Sequence, residues 1–357
     1  MRMEENKPLA PFTTFRIGGP ARWFVEAQSE AEIVEATGWA RERGMPVFVL
    51  GGGSNLLIAD AGFPGLVLRV ALRGVDCVER GLTGAAAQIY RVAAGEDWDR
   101  FVQQTVEENC AGVECLAGIP GTVGGTPVQN VGAYGQEVAS TIDSVRVYDL
   151  EAGVFREFSA EECEFGYRRS RFNSTDRGRF IVTRVDYRLT VNGAPTLRYA
   201  DLKRALQSQK IASGEPSLIE VAAAVRGIRQ AKGMLLVEGD PDCQSAGSFF
   251  KNPIVSEEHF NRIADSAAQP PPSFPAEAGP NKAARAKMPA AWLIEHAGFA
   301  KGYGSGAAAV SSRHSLALIN RGGASAREVL ALAEKIREAV DTKFGIRLET
   351  EPVMVGF

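Results

Sequence analysis

Histidine is scarce in this sequence, and the usual signatures of metal and disulfide chemistry are missing. Only three histidines occur in 357 residues, at positions 259, 296 and 314. The five cysteines form no CxxC pair and have no metal-binding spacing to these histidines. We therefore expect no metal site, and we expect reduced, mostly buried thiols.

Long apolar runs and a strong net charge are also missing. Gly51, Gly52, Gly53, Asp60 and Arg69 interrupt the most hydrophobic region, so it cannot cross a bilayer. The N-terminal stretch MRMEENKPLAPF lacks the apolar core of a signal peptide, so we expect a cytoplasmic protein. With 40 basic and 43 acidic residues, the net charge of −3 gives no reason to expect nucleic acid or a membrane as partner.

Glycine is abundant, above all in residues 116–135, LAGIPGTVGGTPVQNVGAYG. This stretch holds six glycines, two prolines and no charged side chain. Its main chain can take positive φ and approach another molecule closely. An uncharged loop that is dense in N–H groups suits a ligand that joins a flat neutral ring to an anionic diphosphate. The alternative is a long surface loop or a tightly turned strand region.

A second glycine loop follows a predicted strand–helix–strand unit. Residues 23–27 and 47–50 are predicted strands, and Ser29 with Glu32 caps the helix between them. The second strand runs into GGGSN at residues 51–55, and the carboxyl ends of such strands are where α/β proteins place ligands. This loop is not the dinucleotide fingerprint, because Leu56 stands where the third glycine belongs.

The middle of the chain predicts a second unit that begins near residue 74. A strand at 89–94 precedes a helix whose buried face carries Trp98, Phe101, Val102, Thr105, Val106 and Cys110. Strands are predicted at 144–148 and 180–189. Between them, CEFGYRRSRFN at residues 163–173 holds three arginines among aromatics. It is either a solvated basic turn or an anion site for a carboxylate, where arginine is favoured.

The last third predicts a third unit, rich in helices. Ser217 with Glu220 caps one helix, a second covers residues 292–299, and Ser325 with Glu328 caps the last long one. The chain then closes on a strand at residues 347–355. The proline-rich segment AQPPPSFPAEAGP at 268–280 reads as a loop or local insertion.

Taken in order, these motifs resemble the UDP-N-acetylenolpyruvoylglucosamine reductases, the bacterial flavoenzymes that complete UDP-N-acetylmuramic acid for peptidoglycan. The resemblance rests on GGGSN, AGIPGTVGG, QNVGAYG, YRRSRF, RxxKGM, AGSFFKNP, AWLIEHAGFAKG and the terminal LExE. Each motif is weak alone, but the ordered set spans nearly the whole chain. Three departures stand out: the proline-rich insertion, Arg169 at a position often acidic in relatives, and Ser245 where asparagine is common.

The resemblance implies an α+β fold. It has a two-part FAD-binding region, like that of vanillyl-alcohol oxidase, and a C-terminal α/β substrate-binding domain. We expect FAD-binding subdomains at 1–73 and 74–200, a substrate domain at 201–345, and a terminal strand at 346–357 that carries a catalytic glutamate.

The resemblance also assigns site residues. Arg168, Ser248 and Glu351 are implied as catalytic. The implied FAD-binding residues are Gly51, Gly52, Gly53, Ser54, Asn55, Ile119, Pro120, Gly121, Thr122, Gly124, Gly125, Ala133, Tyr134 and Gly135. Tyr199 is implied to fold over the uridine diphosphate, and Lys232 and Asn252 to meet the diphosphate and sugar.

The implied reaction uses non-covalent FAD, with NADPH as the reductant that binds first and then leaves. Hydride passes from flavin N5 to C3 of the enolpyruvyl group of UDP-N-acetylglucosamine enolpyruvate. Arg168 holds the carboxylate, Glu351 polarises it or relays protons, and Ser248 gives the proton to C2, with Lys251 or another cation helping. Without the resemblance, these three would be a salt-bridged surface arginine, an exposed strand carboxylate and a turn hydroxyl.

Two other functions remain open from the sequence. One is a flavin oxidase or dehydrogenase of the same fold, which acts on an alcohol or hydroxy acid. The other is a sugar-nucleotide binder without redox activity. A covalent flavin is not expected, because the glycine loops contain no histidine or cysteine. We expect a monomer.

Overall fold

The computed structural model describes residues 1–79, 87–208, 215–275 and 284–357. Its contacts divide the chain into two compact units. The first unit comprises Met1–Lys7, Pro20–Gly53 and Phe63–Ala231, and the second comprises Pro8–Gly19, Ser54–Gly62 and Lys232–Phe357. The division into segments 1–73, 74–200, 201–345 and 346–357 stays a prediction.

The described residues contain strands and α-helices throughout. The strands are β1 (Met3–Pro8), β2 (Pro20–Ala27), β3 (Val47–Leu50), β4 (Leu56–Ile58), β5 (Phe63–Val70), β6 (Val75–Glu79), β7 (Ala87–Ala93), β8 (Cys110–Ala111), β9 (Gly132–Ala133), β10 (Gln136–Glu137), β11 (Ile142–Asp149), β12 (Val154–Ser159), β13 (Phe180–Val191), β14 (Ile254–Ser256), β15 (Phe274–Pro275), β16 (Arg285–Lys287), β17 (Ala308–Val310), β18 (Leu318–Asn320) and β19 (Val353–Val355). The helices are α1 (Glu30–Glu42), α2 (Trp98–Glu107), α3 (Ala200–Ser208), α4 (Leu218–Ala231), α5 (Glu257–Ser266), α6 (Ala290–His296) and α7 (Ala326–Phe344).

The first unit contains two sheets. One has the order β1-β2-β5-β3, and β5 runs parallel to both of its neighbours. The other is antiparallel, with the order β12-β11-β13-β7-β6 and with β8 also paired to β13. The predicted strand–helix–strand unit is therefore present, but β5 separates its two strands. The nearly continuous burial of residues 66–70 suits this central position.

Helix α2 anchors the core of the first unit. Asp97 caps it by accepting a hydrogen bond from the N–H of Arg100. Its buried face includes Trp98 and Phe101, whose rings lie 5.7 Å and 5.2 Å from the ring of Tyr187 on β13. Cys110 was predicted on this helix face, which is wrong: the helix ends at Glu107, and Cys110 is buried in β8 because the chain has already turned to pair with β13.

The second unit is built around helix α7 and short strands. Ser325 and Glu328 form the predicted capping box, and Gly345 ends the helix with φ +63. Strand β19 pairs in parallel with β4, β17 pairs with β18, and β16 lies between β14 and β15.

Three boundaries in this unit differ from the sequence predictions. The helix predicted at 292–299 covers Ala290–His296, and the terminal strand is confined to Val353–Val355. The described part of the proline-rich segment contains β15, whereas residues 276–280 of that segment lie outside the described residues.

Candidate active site

The two glycine loops meet in the first unit. A Cβ atom added to Gly52 would lie 2.5 Å from the Cα atom of Gly121 and 3.0 Å from the main-chain nitrogen of Thr122. A Cβ on Gly51 would lie 2.8 Å from the Thr122 hydroxyl oxygen. Backbone therefore lies directly on backbone, and no larger residue fits at position 52 without separating the loops. Two segments that are about seventy residues apart in sequence form one surface.

The second loop is held by hydrogen bonds to the N-terminal region of α2. Trp98 donates its N–H to the carbonyl of Gly121 at 3.1 Å, and Val123 donates to Glu96 at 2.9 Å. Gly124 donates to Ala94 at 2.8 Å. This anchoring fixes the path of residues 121–124, so the loop is a preformed part of the fold.

The surface formed by the two glycine loops suits a bound diphosphate, as the sequence of the loops suggests. Across the described residues, the N–H groups of Gly52, Gly53, Gly121 and Thr122 donate no hydrogen bond to the protein. Apart from its own chain neighbours, no atom of the described residues lies within 4 Å of a Cβ added to Gly125, so the described protein does not demand glycine there. Main-chain donors without a protein acceptor, together with open space at a glycine, match a closely approaching diphosphate such as that of FAD.

A short β-ribbon, β9 with β10, carries the next predicted cofactor residues and brings Arg168 beside them. Arg168 donates from Nη2 to the carbonyl of Gly132 at 2.8 Å. Asn130, only 1% exposed, explains this placement, since its amide donates to Glu137 at 2.8 Å and to the carbonyl of Gly166 at 3.0 Å. Asn130, Tyr134 and Arg168 all have positive φ, an uncommon and costly conformation for residues other than glycine.

Tyr199 lies at the same ribbon. Its ring makes an edge-on contact with the ring of Tyr134, with centroids 5.8 Å apart. Partial burial raises the pKa of both phenols, although Tyr199 as a whole is 39% exposed, so both remain protonated at neutral pH. Arg169, one of the departures from the family pattern, is exposed and bonds the hydroxyl of Ser174. In the first unit the fold thus brings the two glycine loops together at residues 51–52 and 121–122, and it places Arg168 and Tyr199 beside residues 132–135.

Arg229 is a candidate that the sequence reasoning missed. This arginine on α4 is 6% exposed, and its Nε donates to the carbonyl of Gly118 at 3.0 Å. Burial lowers its pKa, while the nearby Tyr134 and Asp99 act in the opposite direction. The sequence signal that could have identified Arg229 is the motif RxxKGM, in which only Lys232 was assigned a role. A buried guanidinium at the start of the predicted cofactor loop is energetically expensive, and it points to an anionic ligand or to fixation of that loop.

In the second unit, the segment of Ser248 runs beside that of Glu351. Glu351 donates its N–H to the carbonyl of Phe249 at 2.9 Å, and Phe250 and Thr350 form an antiparallel bridge. Asn55 binds the segment of Glu351: its side-chain amide donates to the carbonyl of Glu351 at 3.4 Å, and its main-chain carbonyl accepts from Val353 at 2.9 Å. Ser248 and Glu351 are both half-buried. Two of the three predicted catalytic residues are therefore neighbours.

The remaining predicted residues of the second unit have identifiable surroundings. Lys251 pairs with Glu349 at 3.4 Å, and the side chain of Glu349 is 77% exposed. Asn252 accepts a hydrogen bond from the N–H of Ala290 at 2.9 Å, at the first residue of α6. Lys232 opens the loop that follows α4. Ser245, another departure, is buried, and its carbonyl accepts from Thr14 at 2.6 Å.

Comparisons with known proteins identify the domains of this chain. The family model for the FAD binding domain matches residues 21–159, and that for the C-terminal domain of UDP-N-acetylenolpyruvoylglucosamine reductase matches residues 240–355. The enzyme of that name from Streptomyces coelicolor is 46% identical over 98% of this chain and 90% of its own length. The one from Thermobifida fusca is 45% identical over 98% of this chain and 97% of its own.

The chain belongs to the UDP-N-acetylenolpyruvoylglucosamine reductase family. It is also similar to the solved structure of the Thermus caldophilus reductase, with a TM-score of 0.67, 28% identity and 99% coverage of both chains. The resemblance seen in the sequence is confirmed.

Family membership confirms several expectations. The fold is α+β, with an FAD-binding region followed by the family's C-terminal domain. The protein is an FAD-dependent oxidoreductase of a reductase family in peptidoglycan precursor synthesis. Among the helices that the structure describes, none is long and apolar enough to cross a membrane.

Proposed function

We propose that the protein uses NADPH, through FAD, to reduce UDP-N-acetylglucosamine enolpyruvate to UDP-N-acetylmuramate. The observation that carries the proposal is the near-full-length similarity to reductases of this name, at 45–46% identity. The relatives' shared name gives the substrate, and the motifs stand in the order that the family implies. A cytoplasmic location and a monomeric state are part of the same proposal.

The two glycine loops would hold the cofactor. Residues 51–55 and 119–125 would bind its diphosphate through main-chain N–H groups, and Ala133, Tyr134 and Gly135 would lie against the ring. FAD, when bound, supplies hydride to C3 of the enolpyruvyl group. We propose that it is held without a covalent bond, because the loops contain no histidine or cysteine.

Arg168 would bind the carboxylate of the substrate. When C3 gains hydride, the electron pair of the C2–C3 double bond moves toward the carboxylate, which develops dianionic, enolate-like character. A guanidinium stabilises such charge most when it is fixed beforehand. The hydrogen bond to Gly132 and the left-handed backbone fix Arg168 in this way.

Ser248 would give its proton to C2 and so complete the lactyl ether. A hydroxyl is a weak acid, but the carbanion it meets is strongly basic, so the transfer is feasible if the alkoxide is stabilised. Glu351, on the neighbouring segment, would polarise the carboxylate or relay the replacement proton. Lys251 is a candidate to stabilise the alkoxide. Its ion pair with Glu349 competes with that role, because it holds the Lys251 ammonium at Glu349.

Tyr199, Lys232 and Asn252 would bind the sugar nucleotide. Tyr199 is exposed and precedes α3, so it can reach over the uridine diphosphate. Lys232 would meet the diphosphate as a point charge. Asn252 would meet the sugar through its amide NH₂, since its carbonyl oxygen already accepts from α6.

A turnover assay with product analysis tests the proposal. Purified protein, NADPH and the enolpyruvyl sugar nucleotide should yield a product that is two hydrogens heavier, with matching consumption of NADPH. A flavin oxidase of the same fold would instead consume oxygen with a hydroxy acid or alcohol and leave the enolpyruvyl compound unchanged. A colourless protein that binds the sugar nucleotide without turnover would indicate a binder.

A further inference from the structure

The loop that carries Lys232 has no regular secondary structure to hold it. Helix α4 ends at Ala231, and residues 232–240 form turns and irregular backbone. The proposed function requires Lys232 and Ser248 to act on two parts of one substrate molecule. Their relative position must therefore be set by side-chain anchors, because a small misplacement is costly in catalysis.

One anchor is the close packing of Arg313 on Gly233. Gly233 is buried and has φ +65, a conformation that glycine adopts without strain. A Cβ added there would lie 3.2 Å from Nε and 3.4 Å from Cζ of Arg313, and 3.0 Å from the Cβ of Asp242. The guanidinium therefore rests on the main chain of the residue next to Lys232.

Two aspartates fix this guanidinium, and Ser312 in turn holds one of them. Arg313 donates from Nε to Asp242 at 3.1 Å and from Nη2 to Asp240. Asp242 also accepts the N–H of Ser312 at 2.9 Å and its hydroxyl at 2.5 Å. The hydrogen bond between Arg313 and Asp240 lowers the pKa of Asp240 and raises the pKa of Arg313. Both side chains are therefore ionised at neutral pH.

The other end of the loop lies near Ser248. The Cε atom of Met234 lies 4.0 Å from the position of a Cβ on Gly247, the residue before Ser248. The thiol of Cys243 donates to the carbonyl of Leu235 at 2.7 Å, which ties the loop to the segment that leads to Ser248. A short path of contacts thus links Arg313 to Gly233, Met234 and Gly247.

The charge of the cluster argues against direct diphosphate binding by Arg313. Two carboxylates face one guanidinium, so the group of three carries a net negative charge and would repel a phosphate. We propose that Arg313, fixed by Asp240 and Asp242, is a positioning residue that sets Lys232 relative to Ser248 for the sugar nucleotide. This inference rests on the proposed function.

The test uses full-length protein with bound FAD, reduced by dithionite and then mixed with the enolpyruvyl sugar nucleotide. In Arg313→Met, the substrate concentration for half-maximal reoxidation should rise about tenfold, the size of one lost charged hydrogen bond. Arg313→Lys should recover part of this loss. Arg262→Met is the matched control, because Arg262 forms an exposed ion pair with Glu258, and it should match wild type.

A double-mutant cycle separates positioning from a general structural role. If Arg313 acts through Lys232, Arg313→Met should add little in a Lys232→Met background. Additive losses, or a lower thermal midpoint with unchanged substrate dependence, would overturn the inference. If wild-type protein itself is not reoxidised by the sugar nucleotide, the proposed function fails instead, so the two failures are distinguishable.

Discussion

At the scale of single residues, the proposed proton transfer rests on Ser248. Its half-buried position and the neighbouring segment of Glu351 favour a role in chemistry over that of a solvated turn hydroxyl. Ser248→Ala should leave flavin bleaching by NADPH nearly intact but slow the oxidative half-reaction by roughly 10²–10⁴-fold, the usual range for loss of a general acid. Rapid-mixing spectroscopy of the two half-reactions measures this. Equal damage to both would mean that Ser248 shapes the flavin site.

The second residue-scale prediction distinguishes Glu351 from Glu349. Residues two apart on an extended strand face the same side, so spacing alone does not choose between them. The structure gives Glu349 an exposed ion pair with Lys251, whereas Glu351 is half-buried beside Phe249.

Glu351→Gln should therefore slow the oxidative half-reaction on the order of 10²-fold while bound FAD and its bleaching persist. Glu349→Gln is the control and should stay within about threefold of wild type, since exposed ion pairs contribute little. If Glu349→Gln were instead the slower variant in the oxidative half-reaction, Glu349 would be the catalytic glutamate.

At the scale of elements, the glycine loops give a prediction about cofactor affinity. Gly125 has open space where a Cβ would sit, so Gly125→Ala should leave the thermal midpoint of the apoprotein unchanged. The methyl group would meet bound FAD, so the dissociation constant of FAD should rise at least about tenfold, the scale of one overpacked contact.

Gly38→Ala is the matched control for that variant. Gly38 lies in α1, also with nothing within 4 Å of an added Cβ. The substitution should stabilise the helix by roughly 0.5–1 kcal/mol and leave FAD affinity unchanged. Flavin fluorescence titration of both apoproteins decides the matter. Unchanged affinity in Gly125→Ala would place the cofactor elsewhere.

The antiparallel sheet of the first unit gives a prediction about pH. Asp149, fully buried at the end of β11, accepts hydrogen bonds from Arg179, Arg156 and the main chain of residues 151 and 152. The hydrogen bond from Arg179 is the largest of the effects that hold the pKa of Asp149 far below its usual value, against the opposing effect of burial.

A lowered folded-state pKa means that the stability contribution is fully present above the unfolded-state pKa of about 3.9 and is lost as the pH falls below it. Asp149→Asn should therefore have a lower urea midpoint than wild type at pH 7. The difference between the two midpoints should become smaller as the pH falls from 5 to 3. A constant difference across this range would exclude the carboxylate charge as the cause.

Local patterns predicted the elements of this fold well and their long-range pairing poorly. Ser325 and Glu328 predict the start of α7 because a capping box is a contact within four residues. The strand Val47–Leu50 is predicted by its own short apolar run. Nothing local indicates that β5 inserts between β2 and β3, or that β4 pairs with β19 at the far end of the chain.

The candidate site shows the same division. The glycine loops are visible in the sequence because unusual composition marks them, whereas the proposed roles of Ser248 and Glu351 came from a family resemblance. Arg229 was missed because its burial depends on how α4 packs on residue 118, which no local pattern contains.

At the scale of the whole molecule, the chain alternates between the two units, each of which is built from three separate segments. Phe15, Ile17 and Leu57, which come early in the sequence, belong to the buried core of the second unit. Neither unit is therefore encoded by one continuous stretch. A fragment that begins at residue 232 would lack the part of the second unit's core that comes from the early segments.

We propose that one protein couples NADPH oxidation to reduction of the enolpyruvyl sugar nucleotide through FAD. The most direct measurement is the flavin spectrum under anaerobic conditions, first with stoichiometric NADPH and then with UDP-N-acetylglucosamine enolpyruvate. NADPH should bleach the flavin band, and the sugar nucleotide should restore it in proportion to the amount added. A flavin that bleaches with dithionite but not with NADPH, or that stays bleached after the sugar nucleotide is added, would contradict this proposal.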